Sequence, residues 1–157
     1  MDPTPRAKPL SVAGPPRVPV VARERVVPCS GGGRARLVAQ SRGYALVEVA
    51  GAVDIATSGR VTEVLRGAAA RGTPALIVDL SRVTLFAAAG FHCLEETATL
   101  LAGRDGSLHL ACAEHSPAAR VLRLLDEYGR WTVHPDVPTA VAAVGTSPVT
   151  PPADDRA

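Results

Sequence analysis

The feature that most restricts the fold is a repeated change between strand-like and helix-like apolar patterns along the 157-residue chain. Residues 75–80 read ALIVDL, a nearly continuous apolar run typical of a strand buried on both faces. Residues 61–68 instead repeat apolar side chains at the three- and four-residue spacing of a helix face. Segments that alternate in this way predict an α/β domain with a mixed, largely parallel sheet of four to five strands and about four helices.

Turn residues and capping residues suggest where the elements begin and end. Residues 36–40 and 44–53 predict two strands joined by a tight turn. We expect Thr57 or Ser58 to cap the first helix, which ends near Gly72. The other predicted elements are a loop over 81–89, a helix over 90–102, a strand over 107–111, a helix from Ser116 to Gly129, a short strand over 131–133 and a helix over 138–144.

The last two predicted helices carry specific packing expectations. Ser116 is expected to cap the third helix, with Pro117 at its first helical position. Apolar residues expected to be buried by these helices are Val121, Leu122, Leu124 and Leu125 in the third and Val141 and Val144 in the last.

Both ends of the chain are rich in proline and contain few residues that could build a core. We expect residues 1–33 to form a disordered tail, because proline removes backbone donors and glycine raises the entropic cost of ordering. The alternative for part of this tail is a short docking segment around residues 18–27. Residues 145–157 are also expected to be disordered, which leaves one domain over residues 35–144.

Composition argues against several classes of function. A formal charge of +2 is too small to indicate a nucleic-acid-binding groove. No apolar run approaches the roughly 20 residues that span a bilayer, and prolines interrupt the N-terminus where a signal peptide would need an apolar core. We therefore expect a cytoplasmic protein that does not insert into membranes.

The residues with catalytic or metal-binding potential form no known pattern. Cys29, Cys93 and Cys112 match no disulfide framework, and Cys112 with His115 is a single ligand pair without a second at structural-zinc spacing. There is no glycine-rich phosphate loop and no G-x-S-x-G turn. We expect buried or incidental cysteines, no metal, no cofactor and no enzymatic activity.

Two stretches carry a family resemblance. The first, residues 51–57, reads GAVDIAT, and the second, residues 78–91, reads VDLSRVTLFAAAGF. They resemble the signature stretches of STAS domains in anti-sigma factor antagonists, which run G-E-L-D-x-x-T and V-D-L-S-x-V-x-F-[LM]-D-S-S-G-L. The spacing between them and the later Ser-Pro helix start also match, so the resemblance covers roughly residues 35–144. It implies a STAS-like single domain.

The resemblance also implies a mechanism, in which the antagonist binds an anti-sigma factor, often a serine kinase, and so releases a sigma factor. In that family, phosphorylation of the first serine of D-S-S-G abolishes binding. A phosphate can be accommodated at a helix N-terminus, where it places about two negative charges on the docking surface.

This sequence departs from the family at that position, because it reads AAAG over residues 87–90. Ala88 occupies the phosphoacceptor position and has no hydroxyl group. Thr84 and Thr97 each lie roughly 13 Å away along an extended strand or a helix, too far to take its place in phosphoryl transfer. We expect the usual switch to be absent, either through drift in a diverged relative or because the surface is locked in its binding-competent state.

The resemblance also assigns a set of partner-binding residues: Asp54, Thr57, Ala87, Ala88, Ala89, Gly90 and Phe91. For Asp54, the alternative is a carboxylate that caps backbone N–H groups near Thr57. Asp79 and Ser81 are expected to fix a strand-to-loop turn, and Phe86 to belong to the core. Other functions compatible with this fold are a STAS accessory subunit of a membrane lipid-transport ATPase complex and a scaffolding or sensory STAS module.

Overall fold

A computed structural model of the chain describes residues 32–126 and 131–146, and all structural statements below refer to these residues. They form one five-stranded sheet and four helices. The strands are β1 Arg34–Gln40, β2 Tyr44–Val53, β3 Ala75–Phe86, β4 Ser107–Ala111 and β5 Thr132–His134. The helices are α1 Ile55–Ala69, α2 Ala88–Ala102, α3 Pro117–Leu125 and α4 Val137–Thr146.

The strands lie in the order β1-β2-β3-β4-β5. β1 pairs antiparallel with β2 across a turn in which the Ser41 hydroxyl accepts the Gly43 and Tyr44 N–H groups at 3.2 Å. Every later pair is parallel, with a helix in each connection. The predicted α/β fold with a mixed, largely parallel sheet is therefore confirmed.

The two faces of the sheet carry separate apolar cores. Val47 and Val49 of β2 point to the face covered by α1, α2 and α3, where Leu65 and Leu94 are also buried. Tyr44 and its neighbours on the opposite face pack beneath α4. Because successive side chains of a strand alternate between faces, one strand supplies both cores.

Parallel pairing brings the functional segments to one edge of the sheet. The carboxyl ends of β2, β3, β4 and β5 lead into α1, α2, α3 and α4, respectively. Ligand sites of open α/β sheets lie outside these carboxyl ends. Both motif stretches reach this edge, at Asp54 and Ala87.

Several predicted boundaries are wrong. The loop expected over 81–89 is mostly strand, since β3 continues to Phe86 and pairs there with Val53. The second helix begins at Ala88 rather than at residue 90. Asp54 caps α1, not Thr57 or Ser58. The first of these errors arose because turn-forming residues suggested an interruption that pairing with β2 prevents.

The packing of α3 also differs from the prediction. The cap by Ser116 is confirmed, since its hydroxyl accepts the Ala119 N–H at 3.1 Å. Leu122 is buried, but Leu124 is 76% exposed and Leu125 is also exposed. The helix is anchored through Ala118, Ala119 and Leu122, and this short contact leaves the two leucines after Leu122 on its outer side. The expected end at Gly129 lies outside the described residues.

The expectations for α4 and for the two tails can be compared with the structure only where residues are described. In α4, Val141 and Val144 are partly buried against the second core, as expected. The predicted tails fall outside the described residues except for Gly32, Gly33, Gly145 and Thr146. Gly145 and Thr146, expected in the disordered C-terminal tail, belong to α4. Gly33, expected in the N-terminal tail, is instead buried in the domain. No helix among the described residues is long and apolar enough to cross a membrane.

Candidate functional site

The junction between β3 and α2 consists of backbone and methyl groups. Ala87 is the N-cap residue of α2, with an extended backbone and no side-chain capping bond. Its N–H donates to the carbonyl of Val53 at 2.9 Å, which ties the junction to the end of β2. Ala88 is exposed, and Ala87 and Ala89 are half-buried. A partner can therefore contact Ala88, and the residue carries no group that could be phosphorylated.

Gly90 lets α2 approach the sheet. A Cβ at this position would lie 2.8 Å from Phe86 Cε2 and 2.9 Å from Val53 Cγ1. Such distances are well inside normal contact distances in a packed core. The glycine is required here by steric contact, which accounts for its place in the motif.

The start of α1, by contrast, is capped by side chains. The Asp54 carboxylate accepts the Thr57 N–H at 3.1 Å, and the Thr57 hydroxyl accepts the Asp54 N–H at 3.0 Å. The same hydroxyl donates to the Ala52 carbonyl at 2.8 Å. This reciprocal pair is a capping box, which satisfies two N–H groups that a helix start leaves without partners. The capping interpretation of Asp54 is thus confirmed.

Cys93 joins the first two turns of α1 to the first two turns of α2, a role that the sequence did not reveal. Its sulfur accepts the Thr62 hydroxyl at 3.0 Å and lies 3.1 Å from the Ala89 carbonyl and 3.3 Å from the Ser58 carbonyl. Burial raises the pKa of the thiol, which keeps the proton needed to donate to one of these carbonyls. Cys93 and Cys112 are both free and buried, as expected, whereas Cys29 lies outside the described residues.

The structure separates the expected partner-binding residues into exposed and buried groups. Ala88 is exposed and Asp54, Ala87 and Ala89 are half-buried, but Thr57 and Gly90 are buried. Phe91 is only 5% exposed, and its ring lies 4.8 Å from that of Trp131. The burial expected for Phe86 is confirmed, whereas Phe91, expected to contact a partner, also lies in the core.

Two other apolar residues are exposed near the same edge. Ile55, the first residue of α1, is 88% exposed, and Leu85 of β3 is 52% exposed. Leu85 pairs with Ala52, two residues before Asp54. The exposure of Ile55 could have been predicted from the sequence. The buried stripe of α1 begins at Thr57, and residue 55 does not lie on it. We call Ile55, Leu85 and Ala88 the junction surface.

Asp79 and Ser81 act within β3 rather than at a turn. The Asp79 carboxylate accepts both the N–H of Ser81, at 3.0 Å, and its hydroxyl. From the Glu48–Asp79 pair to the Ala50–Arg82 pair, β3 advances by three residues while β2 advances by two. The bond therefore stabilises a β-bulge, which bends the strand before it reaches the junction.

A separate cleft of about 490 Å³ lies between α3 and the carboxyl ends of β4 and β5. Its walls include Cys112, Leu122, Val133 and His134, and Arg123 lies at its rim with its guanidinium bonded to the Glu114 and Ala119 carbonyls. Among the described residues, no three or more potential metal ligands lie close enough together to hold an ion.

Together, the sheet order, the helix placement and the junction surface define a small α/β domain. Its strand-to-helix edge presents exposed apolar side chains and a helix start without a capping side chain. The family model described as the STAS domain matches residues 36–140, and the chain belongs to this family.

Solved structures support the same fold. An anti-sigma factor antagonist from Mycobacterium paratuberculosis matches with a TM-score of 0.65 and 23% sequence identity, over 76% of this chain and 99% of that one. The anti-sigma factor antagonist SpoIIAA in its unphosphorylated form matches with a TM-score of 0.57 and 17% identity, over 71% and 98%. Because the sequence identities are only 23% and 17%, this likeness shows the fold alone. Comparison with curated protein sequences finds no match.

Proposed function

We propose that this STAS domain is an anti-sigma factor antagonist, which binds an anti-sigma factor in the cytoplasm and thereby regulates sigma-dependent transcription. It acts by stoichiometric binding, without catalysis or a cofactor. The observation that carries the proposal is the exposure of Ala88 at the start of α2, the position that matches the phosphoacceptor of the family motif. The fold likeness to two antagonists supports the class of partner.

The junction surface has the character of a docking site. Ile55 and Leu85 are exposed apolar side chains near Ala88, and burial of such side chains contributes favourable free energy to association. The capping box and Cys93 hold the starts of α1 and α2 in place, so little order has to be gained when a partner binds.

The absence of a hydroxyl at residue 88 makes the proposed binding insensitive to phosphorylation at this position. Phosphorylation at this point would add about two negative charges to the docking surface and weaken association with an apolar partner surface. Ala88 prevents this step, so a kinase cannot release the complex by acting at this residue.

The first test introduces a charge at the junction. With the full chain as bait in a lysate of the native organism, Ala88→Glu should lose a protein that the native chain captures, and mass spectrometry identifies it. Binding of that purified protein should weaken at least about tenfold, which corresponds to about 1.4 kcal/mol. Ala102→Glu, at the exposed far end of the same helix, is the matched control. Equal binding by both variants would place the interface elsewhere.

The second test restores the acceptor. If the captured partner is a serine kinase, the native chain incubated with it and ATP should remain unmodified over residues 87–91. Ala88→Ser should be phosphorylated there, because the new hydroxyl stands at an exposed helix start. Thr84→Ser, also exposed, is the control that should gain no phosphate. Phosphate on Thr84 of the native chain would contradict the loss of the switch.

A further inference from the structure

The N-terminal segment enters the domain beside the junction surface. A Cβ at Gly33 would lie 2.2 Å from the Ala52 carbonyl oxygen and 2.9 Å from Thr57 Cβ. A Cβ at Gly51 would lie 1.8 Å from the Gly32 carbonyl oxygen. The two chain segments therefore cross with their backbones in contact, which glycine alone permits. This crossing fixes where residues 1–31 are attached.

The crossing lies close to the most exposed apolar side chain of the fold. Gly33 touches Thr57, which is two residues after Ile55 in the first turn of α1. From the geometry of a helix, the entry point is roughly 10 Å from Ile55. Leu85 pairs with Ala52, whose carbonyl Gly33 contacts.

The part of the chain nearest this entry point is itself apolar. Residues 18–27 read VPVVARERVV and include five valines, followed by Pro28, Cys29, Ser30 and Gly31. Val27 is five residues before Gly32, a distance that an extended chain covers up to roughly 17 Å. Ile55 and Leu85 both lie within that reach of the entry point.

From this geometry we propose that residues 18–27 dock in cis onto the junction surface through their valines and cover Ile55 and Leu85. The short attachment supports this occupant over a free ligand, because it gives the segment an effective concentration in roughly the millimolar range at that surface. Even a weak intrinsic affinity then leads to substantial occupancy.

The consequence for regulation rests on the proposed function. A segment that covers the junction surface competes with the anti-sigma factor, so release of the segment would control a complex that has no phosphorylation switch. The test of docking itself needs no partner, and its outcome is therefore independent of whether an anti-sigma factor binds.

The sequence provides an unusually direct probe. Ile55 and Ile77 are the only isoleucines of the chain, so methyl labelling of isoleucine gives one signal at the junction surface and one from a fully buried residue. The experiment compares the full native chain with V20S/V21S/V26S and with the control L10S/V12S/V149S, which removes apolar residues outside the segment. A soluble gadolinium chelate reports the access of solvent to each methyl group.

We expect the Ile55 signal to shift in V20S/V21S/V26S and its paramagnetic relaxation to rise at least about twofold, as follows when a surface that is covered half the time is freed. The Ile77 signal should be the same in all three proteins, and the control should match the native chain. Identical Ile55 signals in the native chain and V20S/V21S/V26S would overturn the proposal. So would an Ile55 shift that changes on dilution, because a second copy would then be the occupant.

Discussion

At the scale of single residues, the start of α2 is governed by the space available to Gly90. The glycine sits against Phe86 and Val53, two side chains of the main core, and its backbone φ is not in the left-handed region. Conformational freedom is therefore not the reason for glycine here. The reason is the close approach of α2 to the ends of β2 and β3.

Gly90 is sterically confined and Gly67 is not, so alanine at these two positions should have opposite effects on stability. Gly90→Ala should lower the free energy of unfolding by about 1–3 kcal/mol, the usual cost of overpacking a core. Gly67→Ala, in the last turn of α1 with nothing within 4 Å of the added methyl, should raise it by up to about 0.5–1 kcal/mol. Urea unfolding of both variants measures the changes. A stabilised Gly90→Ala would mean that α2 does not approach the sheet so closely.

At the scale of elements, the helix starts differ in how they are capped. Asp54 and Ser116 cap α1 and α3 with side-chain oxygens, whereas Ala87 contributes no capping bond to α2. α2 begins nonetheless, because the Ala87 N–H is held by Val53 and Phe91 packs beneath its first turn. Its start is determined by tertiary contacts more than by local sequence.

An added cap at this junction should therefore stabilise the domain. Ala87 has φ −87° and ψ 171°, the extended conformation that N-cap residues adopt. Ala87→Asp should raise the free energy of unfolding by about 0.5–2 kcal/mol, because its carboxylate can accept a first-turn N–H. Asp54→Ala should lower it by a similar amount through loss of the capping box. An unchanged urea midpoint for Ala87→Asp would show that the first-turn N–H groups are already satisfied.

At the scale of the whole molecule, a pair of buried histidines joins the edge strand β5 to β4 on the face covered by α4. His109 Nδ1 lies 3.1 Å from His134 Nε2, and His109 Nε2 lies 3.1 Å from the Ser107 hydroxyl. The two rings are stacked with centroids 5.3 Å apart. Burial, followed by the effect of His134, lowers the pKa of His109, so the folded state favours its neutral form.

The lowered pKa of His109 makes the folded domain less stable in acid. The unfolded chain takes up a proton on His109 at a higher pH than the folded chain, so stability falls as the pH drops below about 6.5 and levels off below the lowered pKa. The slope from this one group is at most about 1.4 kcal/mol per pH unit. Unfolding free energies measured from pH 8 to 5 should show this loss, and His109→Gln should reduce it.

The exposed residue His115 provides the control for this measurement. His115→Gln should retain the pH dependence of the native chain. A profile that is the same in the native chain and in His109→Gln would assign the acid sensitivity to other groups.

The limits of prediction from sequence appear at particular residues. Apolar spacing located β2, β3 and α1 and placed Val61 and Leu65 in the core, because these patterns are local. Phe91 and Leu124 could not be placed in the same way. Each lies on a helix with apolar residues in several directions, and only the position of neighbouring helices decides which side is covered.

The sequence by itself determined the order of elements, the α/β class and the STAS resemblance, because periodicity and motif spacing are properties of the chain. It also determined that residue 88 carries no phosphate acceptor. The tertiary structure alone decided that Phe91 is buried while Ile55 and Leu85 are exposed, and that Gly33 is packed against Thr57. The physical reason is that burial and close approach depend on residues distant in the chain, which meet only when the sheet and its helices have assembled.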